Sequence, residues 1–264
     1  MRITGFGARL LPSIILSALL LAMASPSLGA RLALIIGNRH YIHLDELAAP
    51  GSDAAGYAKL FTDKHFDQVI LKHDLSLLDM DQALAAFVAT IQPGDTAVFV
   101  FSGQGWDDGS TAYVTGVDAP VSASASLLRR ISVPLVNGTD GIIERMAHRS
   151  ARSVAIVDVG RESPFPSGAT AAVPSPLPPN SFVMLSTGAG QKAFDALSLD
   201  DSSDESVFTR VYLPLLRSGE TLLDAARAAQ PRVANLAATI GGKQQPAYAD
   251  SLLDDGCLFD QCGP

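Results

Sequence analysis

Short apolar runs alternate with segments of helical periodicity along this chain, and this alternation constrains its fold more than any other feature. The segments 52–65 and 76–91 carry apolar residues at helical spacing, and each opens with serine. Strands that alternate with helices predict an α/β fold, with a mostly parallel sheet covered by helices on both faces. Continuous apolar runs fit such a sheet because both faces of each strand are buried. The five clearest runs are RLALIIG (31–37), FDQVILK (66–72), DTAVFVFSG (95–103), SVAIVD (153–158) and SFVMLST (181–187).

The carboxyl ends of parallel strands are where sheets of this kind gather their functional residues. That rule points to residues 37–41, 102–105, 158–161 and 187–191. A hairpin is expected over residues 111–119 (TAYVTGVDA). The proline- and serine-rich stretch 163–180 and the acidic stretch 196–206 are expected to be loops.

The first thirty residues have the layout of a secretory signal. Arg2 and Arg9 precede an apolar run, and small residues follow it up to Ala30. The run is shorter than the roughly 20 residues that a membrane span needs. We therefore expect an exported protein, periplasmic or secreted, with no stable membrane span after cleavage. The alternative is an uncleaved N-terminal anchor.

Composition and cysteine usage narrow the remaining choices. The chain carries a formal net charge of −8, and removal of a signal with two arginines and no acid would make it more negative. An acidic chain without basic clusters is a poor nucleic-acid ligand. Cys257 and Cys262 could form a disulfide in an oxidising compartment or remain two free thiols, and a metal site lacks a matching histidine pair. The predicted organisation is a signal (1–30), one domain (31–252) and a C-terminal tail (253–264).

Several strand ends and helix starts resemble a known family. The segments LALIIGNRHY, LAAPGSDAAGYAKLF and VFVFSGQG are similar to the N-terminal half of the caspase-like cysteine peptidases, in particular the bacterial orthocaspases and the metacaspases. The segments STGAGQKAFD, SVFTR and IGGKQQPAYADSL continue the resemblance, which covers about residues 31–252. It implies a caspase-hemoglobinase-like three-layer sandwich with a six-stranded, mostly parallel sheet.

The resemblance fails at the two residues that carry the family's chemistry. Its peptidases use a histidine that accepts a proton from a cysteine thiol, and the thiol attacks the peptide carbonyl. The histidine of the family's Ser-Gly-His-Gly motif corresponds to Gln104, and the cysteine of its Asp-Ala-Cys-Arg motif corresponds to Gly160. An amide accepts no proton at neutral pH, and glycine has no nucleophile. We expect no thiol proteolysis from these positions.

The pocket for a basic side chain is retained by the same comparison. The resemblance assigns Asp53, Ser102 and Asp158 to an acidic pocket for arginine or lysine, with Asp158 and Arg161 as pocket and scaffold residues. It also assigns the backbone amides of residues 105 and 160, both glycine, to an oxyanion hole. The alternative is that Asp53 is an ordinary helix cap and Asp158 a strand-end residue that bonds local amides.

Three functions remain open from the sequence. The first is an exported pseudo-peptidase that binds proteins or peptides with basic residues without cutting them. The second is a working cysteine-type endopeptidase with Arg/Lys specificity, which would need another base, and only His40 and His43 lie on a loop that could approach Gln104. The third is a structural or interaction scaffold.

Calcium is suggested by the resemblance alone, because metacaspases often use it. The acidic doublets 107–108 and 200–201 are the places to consider, and neither matches a family ligand position. Solvated acidic loops are the simpler interpretation, and no cofactor is expected.

Overall fold

A computed structural model describes Met1 and residues 29–163 and 176–262 of the chain. Six of its strands form one sheet in the order β2-β1-β3-β7-β8-β9, and β4, β5 and β6 form a smaller antiparallel sheet. The strands are β1 (Arg31–Gly37), β2 (Gln68–His73), β3 (Thr96–Ser102), β4 (Gly105–Asp107), β5 (Ala112–Thr115), β6 (Ser132–Pro134), β7 (Arg152–Asp158), β8 (Ser181–Leu185) and β9 (Ala247–Asp250).

The large sheet is parallel from β2 to β8, and β9 runs antiparallel to β8. The helices are α1 (Pro50–Asp63), α2 (Leu77–Thr90), α3 (Ala125–Arg130), α4 (Ile142–Ala147), α5 (Thr209–Arg217) and α6 (Leu222–Ala238). The predicted six-stranded, mostly parallel α/β sheet is confirmed. Each of the five apolar runs overlaps one of its strands.

Each buried strand divides its side chains between two hydrophobic cores. In β1, Ala33 and Ile35 join the core under α1, α5 and α6, whereas Leu32, Leu34 and Ile36 join the core under α2 and α4. Successive side chains of a strand point to opposite faces, so a strand covered on both sides must be apolar at nearly every position. This arrangement is the predicted three-layer sandwich.

The hairpin expected over residues 111–119 lies elsewhere. Strand β5 pairs antiparallel with β4, which precedes it in the chain, and with β6, which follows it. No strand forms over residues 116–119. The turn of the real hairpin is the Asp-Asp-Gly-Ser segment 107–110, where Asp107 accepts from the Gly109 N–H at 2.6 Å and Asp108 from the Ser110 N–H at 3.0 Å. Aspartates that bond the backbone two residues ahead are turn formers.

The structure describes most of the C-terminal tail but not most of the expected signal. Residues 2–28, which hold most of the expected signal, lie outside the described residues. Within the described part of the chain, every helix is too short or too polar to cross a membrane. In the C-terminal tail, Cys257 and Cys262 are disulfide-bonded, with their Cα atoms 5.5 Å apart. Leu258 and Phe259, between them, are buried in the core of α1, α5 and α6.

Candidate binding site at the strand ends

The strand pairing brings the two central strand ends together. Ser102, at the end of β3, lies beside Asp158, at the end of β7. In β3, Val98 and Val100 face the core under α1 and α5. The period of two along a strand therefore places Ser102 on that same face. The same alternation holds in β7 and places Asp158 beside it.

A cleft of about 320 Å³ opens over these strand ends. It is lined by Asp45, Leu47, Pro50, Ser102, Gly103, Gln104, Asp158, Gly160, Glu162, Lys192, Ala193 and Asp195. The structure thus places positions 104 and 160, which the sequence resemblance assigned to the catalytic pair, in one cleft with two of the three predicted pocket residues.

Gln104 is held in place through its backbone. Its N–H donates to the Tyr41 hydroxyl at 2.7 Å, and its carbonyl accepts from the Thr115 hydroxyl at 2.9 Å. Tyr41 is buried, and burial raises the pKa of its hydroxyl well above the usual value. The loop after β3 is therefore fixed by a neutral tyrosine that serves as an acceptor.

The glycines of the site differ in whether the fold requires them. A Cβ at position 105 would lie 2.7 Å from the Tyr113 carbonyl oxygen and 2.8 Å from Val159, which real side chains do not tolerate. Among the described residues, a Cβ at position 160 would have the Ala193 nitrogen, at 3.7 Å, as its nearest neighbour, and the backbone there has no positive φ. The fold therefore requires glycine at 105 and leaves space for a side chain at 160.

Arg161 clamps the loop that carries Gly160. Its side chain is 1% exposed, and its Nε and Nη2 donate to Asp107 Oδ2 at 3.0 and 2.5 Å. Its Nη1 donates to the Thr187 carbonyl at 3.3 Å, and its backbone N–H donates to the Gln191 carbonyl at 2.8 Å. This one residue ties the β7 end to β4 and to the loop after β8, as the predicted scaffold role implies.

The three predicted pocket residues belong to one hydrogen-bond network, which includes a fourth residue, Ser206, that the sequence analysis did not identify. The Ser102 hydroxyl donates to Asp53 Oδ2 at 2.8 Å, and the Ser206 N–H donates to Asp53 Oδ1 at 3.0 Å. The Ser206 hydroxyl donates to Asp158 Oδ2 at 2.5 Å. Asp53 is fully buried and does not cap α1, whose N-cap is Ala49. Ser206 thus joins the two carboxyl groups.

Burial dominates the ionisation of this pair. It raises the pKa of Asp158 from 3.8 to about 6, against the hydrogen bond from Ser206. Burial, and after it the charge of Asp158, raises the pKa of Asp53 well above its usual value. Two carboxyl groups that share hydrogen-bond donors in a low-dielectric site resist ionising together.

The rim of the cleft adds charges that the sequence analysis missed. Asp45, Glu162 and Asp195 contribute carboxylates, and Lys192 contributes an ammonium whose Nζ lies 3.9 Å from Glu162 Oε1. Asp195 also accepts from the backbone N–H of Ala48 at 2.5 Å. The segment STGAGQKAFD contains Lys192 and Asp195, so the signal was present, but nothing in the sequence showed that this loop faces Asp158.

The two histidines considered as replacement bases lie outside this cleft. His40 is 59% exposed, with its Nδ1 3.3 Å from Glu46 Oε1. His43 is exposed, and neither histidine is among the described residues that line the cleft.

The acidic doublets do not fit a calcium site. Asp107 is bonded to Arg161, and Asp108 lies 2.7 Å from the Nε of Arg129. Asp201 is bonded to Arg210 at 2.8 Å and to the Leu197 N–H at 2.7 Å. Three of the four carboxylates in the doublets thus already have cationic or amide partners. Across residues 29–163 and 176–262, no group of three or more His, Cys, Asp or Glu side chains is arranged to hold a metal ion.

The fold and the site together define a class of protein: an α/β domain with its cleft at the carboxyl ends of a parallel sheet, built on the plan of the caspase-like peptidases. A family model of the caspase domain matches residues 30–256. The chain belongs to the caspase-domain family. Comparison with curated proteins finds no match.

Proposed function

We propose that this protein is an exported, non-catalytic member of the caspase-domain family that binds peptides or proteins through a basic side chain. The observation that carries the proposal is the cleft itself. Its described lining residues combine four carboxyl groups with one ammonium, and they include Gln104 and Gly160, the positions that the sequence resemblance assigns to the dyad. Loss of a nucleophile costs about 10⁶-fold in turnover in a well-studied serine protease, so binding is the function that such a site retains.

Arginine is the side chain that we propose for the cleft. Its guanidinium would reach Asp158 at the floor, with Asp195 and Glu162 nearer the rim. Asp53 does not line the cleft, since its oxygens accept from Ser102 and Ser206 behind the floor. The proposed contact is therefore with one floor carboxyl group rather than with the pair that the sequence suggested.

One side-chain contact of this kind is too weak to give measurable binding by itself. A charge-assisted hydrogen bond contributes roughly 1.5–3 kcal/mol net. Millimolar affinity corresponds to about −4.1 kcal/mol, so free arginine should bind hardly at all. A peptide that also lies along the strand ends supplies the remainder. Binding should weaken with salt and favour arginine over lysine, because only a guanidinium binds carboxylates in a fork.

A scaffold function is the second candidate, and one observation favours it. Both buried carboxyl groups already have internal donors, Ser102 and Ser206 for Asp53 and Ser206 for Asp158. A network satisfied in this way stabilises the fold without any ligand. The working endopeptidase is the weaker alternative, because the described residues that line the cleft offer neither imidazole nor thiol.

The test is a titration of an arginine-containing peptide against the purified protein, with turnover followed in the same samples. The Asp158→Asn variant should weaken binding, and Asp63→Asn, on the exposed end of α1, serves as the matched control. No turnover is expected with or without calcium. Equal affinity of all three proteins, or no binding, would favour the scaffold, and cleavage by a protease-free preparation would favour the endopeptidase.

Export is proposed on separate grounds. The layout of residues 1–30 and the disulfide between Cys257 and Cys262 both fit an oxidising compartment outside the cytoplasm. N-terminal sequencing of protein from the periplasm or the medium should give a start near Arg31. A product that still begins at Met1 would contradict cleavage.

A further inference from the structure

A cluster of buried hydroxyl groups lies beneath the acidic cleft, between α1 and α5. Tyr57, Thr209 and Tyr212 are each no more than 1% exposed. Their oxygens are fully buried, and none has a hydrogen-bond partner among residues 29–163 and 176–262. One such group would be unusual, because buried hydroxyls are nearly always bonded.

The helical spacing directs these groups toward one another. Tyr57 follows Asp53 by four residues on α1, and Tyr212 follows Thr209 by three on α5, so each pair shares a helix face. Both helices pack on the sheet face to which Ser102 and Asp158 belong. The two faces therefore enclose a small polar region inside an apolar core.

The pKa shifts in this region indicate that the groups act on one another. Burial raises the pKa of Tyr57 well above its usual value, and the charges of Tyr212, Asp158 and Asp53 raise it further. The Thr209 hydroxyl lowers the pKa of Asp53, Asp158 and Tyr57. It is thus close to all three, although none of these contacts has the geometry of a full hydrogen bond.

We propose that Tyr57, Thr209 and Tyr212 bind buried water that connects them to the Asp53–Ser206–Asp158 network. Polar groups that lie near one another without a well-formed direct hydrogen bond are what a bridging water requires. A buried water typically makes about three hydrogen bonds, and three hydroxyls with two carboxyl groups provide both donors and acceptors. The mixture favours water over a monovalent cation, which would need acceptors only.

The consequence is a second layer behind the cleft floor. The inner water site gives the carboxyl pair hydrogen-bond partners that do not depend on any ligand in the cleft. The inner water site is therefore proposed for the folded chain itself, and its test does not depend on whether the cleft binds a peptide.

The test is a double-mutant cycle on equilibrium unfolding without peptide, with Tyr57→Phe, Tyr212→Phe and both together. Each single change should lower the folding equilibrium constant about fivefold, as the loss of one net hydrogen bond does. The double change should cost less than the product, because either change disrupts the shared water. Tyr113→Phe is the matched control. Its hydroxyl bonds directly to Asp108, in the turn between β4 and β5, so its effect should multiply with that of Tyr212→Phe.

Three results would overturn the proposal. Stabilisation by the single changes would mean that the hydroxyls are dry and unpaired. If the effects of the two single changes on the folding equilibrium constant simply multiply, the two tyrosines do not share a water. Stability that depends on the identity of the monovalent cation at constant ionic strength would assign the site to an ion. High-resolution diffraction from wild-type crystals gives an answer even if the variants fail to fold, since solvent density must lie within hydrogen-bond distance of the three oxygens.

Discussion

The Ser206 hydroxyl donates a hydrogen bond of 2.5 Å to Asp158, and through its backbone N–H the same residue also bonds Asp53. The hydroxyl further accepts the Thr209 N–H at 2.9 Å, so it joins the start of α5 to the end of β7. A residue in this position controls both the floor of the cleft and the docking of α5.

Ser206→Ala should therefore destabilise the protein by about 1–3 kcal/mol. The change leaves the buried Asp158 carboxyl without its hydroxyl donor and the Thr209 N–H without its acceptor, and buried unsatisfied groups cost about this much. Urea denaturation measures the effect. Ser218→Ala is the control, since its exposed hydroxyl bonds only the Leu215 carbonyl at the end of α5. Equal, small effects of both changes would contradict the bridging role.

The stability of the wild type should fall as the pH rises from about 4 through 6. The pKa of Asp158 is raised from 3.8 to about 6 in the folded chain, chiefly by burial. The folded state then binds more protons than the unfolded state between these values, so Asp158 contributes stability below pH 4 that is lost as the pH rises through the folded pKa. The loss amounts to roughly 3 kcal/mol.

Asp158→Asn isolates this contribution, because asparagine resembles the protonated acid at every pH. The variant should match the wild type near pH 4 and exceed it in stability near pH 7.5. Unfolding curves at both pH values are sufficient. A constant difference between the two proteins across this range would show that Asp158 titrates normally.

The sequence was sufficient for the fold because the strands that build it are buried on both faces. A run such as residues 31–37 has no other stable place than the middle of a covered sheet. The placement of residues 104 and 160 in one cleft followed from the same sheet. The role of Ser206 could not be predicted, since it lies 153 residues from Asp53 and 48 from Asp158 along the chain. The contacts of Ser206 depend on how α5 packs against the sheet. The pattern of polar residues in 206–210 does not indicate that packing.

The misplaced hairpin has a local explanation. Two turn-forming segments flank β5, the Asp-Asp-Gly-Ser at 107–110 and the Thr-Gly-Val-Asp at 115–118, and both contain the residues that favour turns. The choice between them is made by the strand available to pair. Trp106 stacks on Tyr113 with ring centroids 4.3 Å apart, and this cross-strand pair favours β4 as the partner.

Side chains should be tolerated at position 160 and rejected at position 105. Gly160→Ala should change stability by less than about 1 kcal/mol, because its Cβ meets only ordinary contacts among residues 29–163 and 176–262. Gly105→Ala should cost about 1–3 kcal/mol, because its Cβ would overlap the Tyr113 carbonyl and Val159. Thermal unfolding of the two variants in parallel is the measurement. Comparable losses would mean that the loop after β7 has no free space.

The same space permits an attempt to restore the family's chemistry. Gly160→Cys alone should remain inactive on arginine peptides, since no base stands beside the thiol, and Gln104→His alone has no nucleophile. Only the double variant places both groups in the cleft, so it is the one variant of the three in which we expect detectable turnover. Activity of either single variant would show that another residue completes the site.

Lys192→Ala should strengthen the binding of arginine peptides severalfold. Lys192 is the one cation among the described residues that line the cleft, and it lies 3.9 Å from Glu162, so an incoming guanidinium meets a like charge and a partly engaged carboxylate. Both residues are more than half exposed, which limits the effect to about 1 kcal/mol or less at physiological salt. Titration at low and high ionic strength should show the gain shrinking as salt increases.

Lys59→Ala, an exposed lysine paired with Asp63 on α1, is the matched control with the same change in net charge. If both variants gain equally, overall charge attracts the peptide. If Lys192→Ala gains nothing at low salt, the basic side chain does not enter this cleft.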